Sequence, residues 1–239
     1  MFTRRRLIVN ADDFGLSAGT NAGIIEAHER GIVTSASLMV RQPAAREAAE
    51  YARKNSSLSA GLHVDLGEWA MHDGEWVQAY EVVPHEDPAA VAREVARQLG
   101  EFRRLTGGDP THLDSHQHAH RHEPARSAVL ALAESLRIPA RDCSPSIAYC
   151  GDFYGQGHGC APFPEGISVE SLLAIFSKLP PGLSELGCHP GADAQLDSVY
   201  RMERLAEVET LCDPRISAAL ADYGIALTSP AKLRDALGK

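Results

Sequence analysis

The chain predicts an α/β fold, a parallel sheet joined by crossover helices within one domain, and three observations carry that prediction. Short apolar runs alternate with helix-like stretches of about ten or more residues along the whole chain. No internal repeat or low-complexity linker interrupts the alternation. A length of 239 residues suits one large domain, able to bury roughly 70% or more of its unfolded surface without disulfides or metal as staples.

Residues 6–9 form a short apolar run that leads into Asp12-Asp13-Phe14-Gly15, the pattern of a buried strand running into a turn. Ser17 has N-cap chemistry, and Ile24, Ile25, Ala27 and His28 fall on helical spacing up to Gly31. Residues 32–40 return to strand character, 44–54 read as a helix after Pro43, and 59–66 as a third strand. Val91, Val95, Leu99 and Phe102 recur at three- and four-residue spacing, which predicts a helix over 88–105. A strand at 111–114 and a helix at 123–136 follow, then an irregular stretch, 139–166, holding many Gly, Pro and Cys. Helices are expected at 168–179, 200–211, 214–223 and 229–237, and strands at 184–188 and 225–227. Segments 68–84 and 139–166 are long for connections and are candidate functional loops. Periodicity does not decide whether such a sheet closes into a barrel.

Charge excludes some partners. With 23 basic and 32 acidic residues the formal charge is −9, which argues against nucleic acid or an anionic membrane, both of which want a basic footprint. No apolar run approaches the ~18–20 residues of a membrane-spanning helix. Met1-Phe2-Thr3-Arg4-Arg5-Arg6 starts like a signal n-region, but only Leu7-Ile8-Val9 follows it, short of the about 7–15 apolar residues a secretory segment needs. A cytoplasmic chain is therefore expected. The five cysteines are odd in number and form no CxxC pair, so reduced thiols are expected. A homodimer is a common arrangement for soluble enzymes, although no sequence feature demands one.

Chemistry concentrates at strand ends. His112, His116, His118, His120 and His122 put five of the eleven histidines into eleven positions. Period-2 geometry places His112, Asp114 and His116 on one face if the strand persists that far, and α/β folds build their sites at the carboxyl ends of strands. Imidazoles beside a carboxylate suit a divalent ion such as Zn, Mn, Fe or Co, with Mg where oxygen ligands dominate. Most of the cluster is expected to be surface or supporting residues.

Asp12-Asp13 closes the first strand. Adjacent side chains on a strand face opposite ways, so both carboxylates meet one site only if the strand breaks, and Gly15 permits such a turn. Such a pair can divide labour, one binding a cation and the other accepting a proton, or it can simply cap a turn. His63 lies in an apolar strand, and His189 precedes a Pro-Gly turn; each alone fits a structural role as well as a ligand. The recurrence of Asp or His at four strand ends is what points to an enzyme site. The Gly-rich run 151–160 is expected to be a loop over that site, because it lacks the context of a phosphate cradle. Cys150, His158 and Cys160 match no standard zinc spacing. Trp69, Trp76 and Tyr80 could stack on a sugar or cover the sheet edge.

Taken together, these motifs resemble the YdjC-like carbohydrate deacetylases, a family that includes chitooligosaccharide deacetylases. The resemblance is carried by Leu7-Ile8-Val9-Asn10-Ala11-Asp12-Asp13-Phe14-Gly15, by Gly31-Ile32-Val33-Thr34-Ser35-Ala36-Ser37, by Gly61-Leu62-His63, by Pro110-Thr111-His112-Leu113-Asp114-Ser115-His116 and by His189-Pro190-Gly191. It spans nearly the whole chain, in order. It implies an irregular (β/α) barrel of the polysaccharide-deacetylase kind, and one divalent ion, Mg²⁺ first among the candidates, with Zn²⁺ or another transition metal as alternatives. It further implies Asp13, His63 and His116 as ligands, Asp12 as general base and His189 as general acid, with an N-acetylated sugar as substrate. Asp114, His118 and Trp69 are expected to support the ligands or touch substrate. Gln117 departs from the resemblance, standing where many relatives have histidine, and segment 68–84 follows no pattern of the family. Two other classes remain as rivals: a metal-dependent phosphoesterase, and a catalytically inactive carbohydrate-binding protein.

Overall fold

The computed structural model describes residues 5–72 and 74–237; residues 1–4 of the signal-like start therefore lie outside the described residues. In chain order the elements are β1 (Arg5–Phe14), α1 (Ala18–Glu29), β2 (Ser35–Leu38), α2 (Ala45–Lys54), β3 (Ser59–Val64), β4 (Gly67–His72), β5 (Glu75–Glu81), α3 (Pro88–Thr106), β6 (Leu113–Ser115), α4 (Ala125–Leu136), β7 (Ile147–Cys150), α5 (Val169–Lys178), β8 (Leu183–Cys188), α6 (Arg201–Leu211), α7 (Pro214–Asp222), β9 (Ile225–Leu227) and α8 (Pro230–Leu237).

Local chemistry sets several boundaries. The Ser17 side chain accepts from the Thr20 amide to cap α1, and Asp87 accepts from the Ala89 and Ala90 amides ahead of Pro88 in α3. Gly107 ends α3 in the left-handed region at φ 80°. Three strands were not foreseen. Segment 68–84, expected to be a loop, is mostly the antiparallel hairpin β4–β5, and β7 emerges from the irregular stretch.

Seven strands form one parallel sheet in the order β6-β3-β2-β1-β8-β7, with β9 pairing with the start of β1 at Arg5–Leu7. The sheet is strongly curled. β6 and β8 stand four places apart, about 19 Å if flat, yet the one Arg141 guanidinium bonds Asp114 of β6 and Glu185 of β8. Ala140, bridging to Leu113 on the free edge of β6, brings Arg141 there. The result is an incomplete, irregular (β/α) barrel in a single domain.

Helices cover the outside, burying Ile24, Ala48, Val91, Val95, Phe102, Val129 and Phe176 against Leu7, Val9, Leu38 and Leu62 of the strands. Packing is close where it positions the site: a Cβ on Gly23 of α1 would lie 2.4 Å from the Gly191 Cα, just after β8. Among the described residues no helix is long and apolar enough to cross a membrane.

Candidate active site

Because the strands are parallel, their carboxyl ends share one rim, and the residues singled out in the sequence gather there around a cleft of about 1290 Å³. Asp12, Asp13, His63, His116, His118, Trp69 and His189 all line it.

Asp12 and Asp13 reach the cleft together because β1 is irregular at its end. Asp13 has φ 65° in the left-handed region, which few non-glycine residues adopt, and the register against β2 slips between Ala11 and Phe14. The break expected at Gly15 thus lies at Asp13 itself, with Gly15 at φ 98° completing the turn. The strand at 111–114 likewise ends at Ser115, and His116 starts a tight turn in which Gln117 and His118 take φ 48° and 55°.

Asp13 is the hub. Its Oδ1 lies 3.0 Å from His116 Nδ1 and 3.4 Å from His63 Nε2, while its Oδ2 accepts from Arg204. Burial alone would raise the Asp13 carboxyl; Arg204 and the two imidazoles outweigh that and hold it well below the usual carboxylate range. His63 is buried, and its Nδ1 lies 2.7 Å from Asp114 Oδ1. Desolvation opposes its charge, but Asp114 and Asp13 raise it to about 10. Asp114 also accepts from Ser37 Oγ at 2.6 Å and pairs with Arg141 at 2.9 Å.

Asp12 faces the same space from the other side. Both its oxygens accept from Arg141, at 2.6 and 2.7 Å, and Asn10 Nδ2 donates to Oδ1 at 2.9 Å. Burial pushes the carboxyl up, Arg141 pulls it further down, and it remains ionised. Its Oδ2 lies 3.8 Å from His189 Nε2. Burial lowers His189 to about 4. The ring therefore rests neutral and must receive any proton it later gives. Its backbone N–H donates to Glu207 Oε2, and Tyr200 donates to Glu207 Oε1 at 2.7 Å. Desolvation pushes Glu207 up to about 8.

The donor set fits a divalent cation. One oxygen or nitrogen each from Asp13, His63 and His116 lie within 4.8 Å of one another, and His116 Nε2 is buried without a hydrogen-bond partner. Charge agrees: with Glu207 held protonated by burial, the buried carboxyls of Asp12, Asp13, Asp114 and Glu185 face two buried guanidiniums, Arg141 and Arg204. A second candidate group, Asp12, His63 and Asp114, already holds the Arg141 guanidinium. Among the described residues Cys150, His158 and Cys160 form no such group.

The rest of the histidine run does other work. His112 Nε2 bonds Ser37 Oγ and His120 Nδ1 bonds Ser115 Oγ. His118 packs edge-on against Tyr149, with ring centroids 5.7 Å apart. His122 is exposed. Sequence reasoning missed Arg141, Arg204, Glu207 and Glu68, whose carboxylate lies 4.0 Å from His116 Nε2. Only charge balance could have hinted at the arginines, since several buried aspartates require counter-charges.

A family model described as YdjC-like protein matches residues 6–222. Over 244 residues the chain is 34% identical to a carbohydrate deacetylase of Geobacillus stearothermophilus, covering 93% of this chain and 96% of the other. It is 36% identical over 253 residues to a chitooligosaccharide deacetylase of Klebsiella pneumoniae, covering 93% and 97%. Among solved structures, a proposed cellobiose-phosphate cleavage protein of Enterococcus faecalis superposes with a TM-score of 0.74 at 26% identity, covering 96% of this chain and 99% of that one. A peptidoglycan N-acetylglucosamine deacetylase shares the fold, with a TM-score of 0.60 at 12% identity over 97% and 89% of the two chains. The polysaccharide-deacetylase-like barrel expected from the sequence is therefore the architecture observed.

Proposed function

The chain belongs to the YdjC-like family, and on that premise we propose that it is a hydrolase that removes the acetyl group from an N-acetylated amino sugar or short oligosaccharide, releasing acetate. The observation that carries the reading is the convergence of Asp13, His63 and His116 beside Asp12, with His189 Nε2 3.8 Å from the Asp12 carboxylate. Asp13, His63 and His116 would hold one divalent ion, a Lewis acid that polarises the acetamide carbonyl and acidifies water. Two imidazoles and a carboxylate suit Zn²⁺, Mn²⁺ or Co²⁺, and family resemblance favours Mg²⁺.

The chain's own residues manage the proton. Asp12 is ionised, with Oδ2 facing the cleft side where His189 stands, so it accepts a proton from the attacking water. The bidentate grip of Arg141 fixes the carboxylate and keeps it a weak base, so the proton is passed on rather than retained. His189, neutral at rest, carries it through Nε2 to the nitrogen as the C–N bond breaks. The new C–O bond leaves acetate, and the proton leaves with the free amine. Asp114 fixes the His63 ring through Nδ1, and Arg204 fixes Asp13.

The rivals fit less well. A two-metal phosphoesterase wants ions about 3.5–4 Å apart, and Arg141 occupies the second acidic group. An inactive binding protein has no need for these five side chains to converge. An acetate-release screen of N-acetylated sugars, run on ion-free protein with each ion restored separately, tests the proposal. Acetate from at least one sugar is expected; phosphate release from sugar phosphates with no acetate from any sugar would overturn it.

A further inference from the structure

The hairpin β4–β5 stands off the main sheet and forms one wall of the cleft. Its register pairs Trp69 with Gln78 and Met71 with Trp76, so strand alternation puts Trp69, Met71, Trp76 and Gln78 on one face. Trp69 and Trp76 are 44% and 56% exposed and both line the cleft. Large exposed aromatics beside a site mark a ligand surface more than a packing one.

The wall is held where the site needs it. The Gln117 side-chain amide donates to the Trp69 carbonyl at 2.7 Å and accepts from its amide at 2.9 Å, acting as a one-residue partner for the outer edge of β4. Gln117 follows His116 directly, and Glu68, preceding Trp69, reaches within 4.0 Å of the His116 ring. At the base, Tyr80 donates to Asp65 at 2.9 Å. The tryptophan face therefore begins one residue from the proposed ligands. Across the cleft, Tyr154 is already stacked on Tyr200 at 4.6 Å, which leaves the tryptophans as the larger free aromatic surface. The cleft volume of about 1290 Å³ exceeds the roughly 300–1000 Å³ of common small-ligand pockets. Glu68 and Asp197 add hydrogen-bond acceptors around its wall. Aromatic faces with carboxylates beside them match a pyranose, which is apolar on its C–H faces and carries hydroxyl donors at its rim.

We infer that Trp69 and Trp76 form the binding platform for the sugar unit next to the one being deacetylated. The inference rests on the deacetylase reading above for the position of the reacting unit, but its test is separable. These are the only two tryptophans in the chain, so intrinsic tryptophan emission reports the hairpin alone. Asp12→Asn protein, which would not consume the probes, is titrated with N-acetylglucosamine and with its β-1,4-linked dimer. The dimer should change the emission saturably, at a concentration roughly tenfold or more below any effect of the monomer. In wild-type kinetics, Trp76→Ala and Trp69→Ala should each raise KM for the dimer about tenfold with kcat little changed. No emission change with the dimer, equal responses to both sugars, or an unchanged KM in both variants would overturn the platform. An emission response to the dimer without acetate release from any sugar would leave the platform standing and remove the deacetylase reading instead.

Discussion

Asp114→Asn tests whether the carboxylate behind His63 sets the ring's proton. In the wild type, Asp114 Oδ1 accepts from His63 Nδ1 at 2.7 Å, so that once the cation displaces the second ring proton the Nε2 lone pair faces Asp13, while Oδ2 accepts from Ser37 and Arg141 at 2.6 and 2.9 Å. An amide cannot serve both sides. With its NH₂ toward His63, Nδ1 must accept, the proton moves to Nε2, and the lone pair facing Asp13 is lost. With its NH₂ toward Arg141, two donors meet in a buried site. Loss of such a ligand-orienting partner costs about 10–100-fold in metal affinity. Arg141 keeps its bonds to Asp12 and Glu185, so the stability loss falls at or below the roughly 3–5 kcal/mol of a broken buried pair. Calorimetric titration of the ion-free variant, with a thermal melt to confirm folding, gives both quantities. An ion affinity within about twofold of wild type in a folded variant would refute the role given to Asp114.

Four further outcomes are expected. Asp12→Asn should keep its ion yet lose about 10²–10⁴-fold in turnover, read as acetate release at saturating ion; near-normal turnover would remove the proton acceptor from the account. Ion affinity should rise with pH, because His63, raised to about 10 by Asp114 and Asp13 against the opposing effect of burial, carries a proton that the cation must displace. One proton released means up to about tenfold tighter binding per pH unit between about pH 6 and 8, and a flat profile would contradict it. Glu207, pushed up to about 8 by burial, stays protonated in the fold where the unfolded chain ionises, so it removes stability as pH rises from the ordinary Glu range towards 8. Melting of Glu207→Gln should therefore compare increasingly well with wild type from pH 5 to 8; a constant difference would count against that burial. Gln117→Asn, which tolerates the left-handed backbone but is one methylene too short to hold Trp69, should raise KM for a disaccharide and leave kcat nearly unchanged.

Much of this molecule was legible in its residues, for reasons that differ by element. Helix α3 announced itself by apolar spacing, and α1 by its Ser17 cap. The ends of β1, β3, β6 and β8 were marked because Asp and His there interrupt otherwise apolar runs. The hairpin β4–β5 was illegible as strand: its faces are mostly exposed, so Glu, Gln, His and Trp follow one another without a buried alternation. It is instead held in place by Gln117, remote in sequence, and by Tyr80 and Val82 bonding back to Asp65 and Leu66 just ahead of β4. The left-handed Asp13 was also invisible, because nothing local forces it; Arg204 from α6 holds the carboxylate in place. Arg141 looked like an ordinary loop residue until the curl of the sheet brought Asp12, Asp114 and Glu185 around it.

On the proposed function, one cation held by Asp13, His63 and His116 enables Asp12 and His189 to release acetate. Ion-free protein titrated with a single divalent metal, with bound metal and acetate release from an N-acetylglucosamine oligomer followed together, tests it most directly. Activity should climb in step with occupancy and level off at one ion per chain. Turnover that survives full chelation, or that needs a second ion, would contradict the claim.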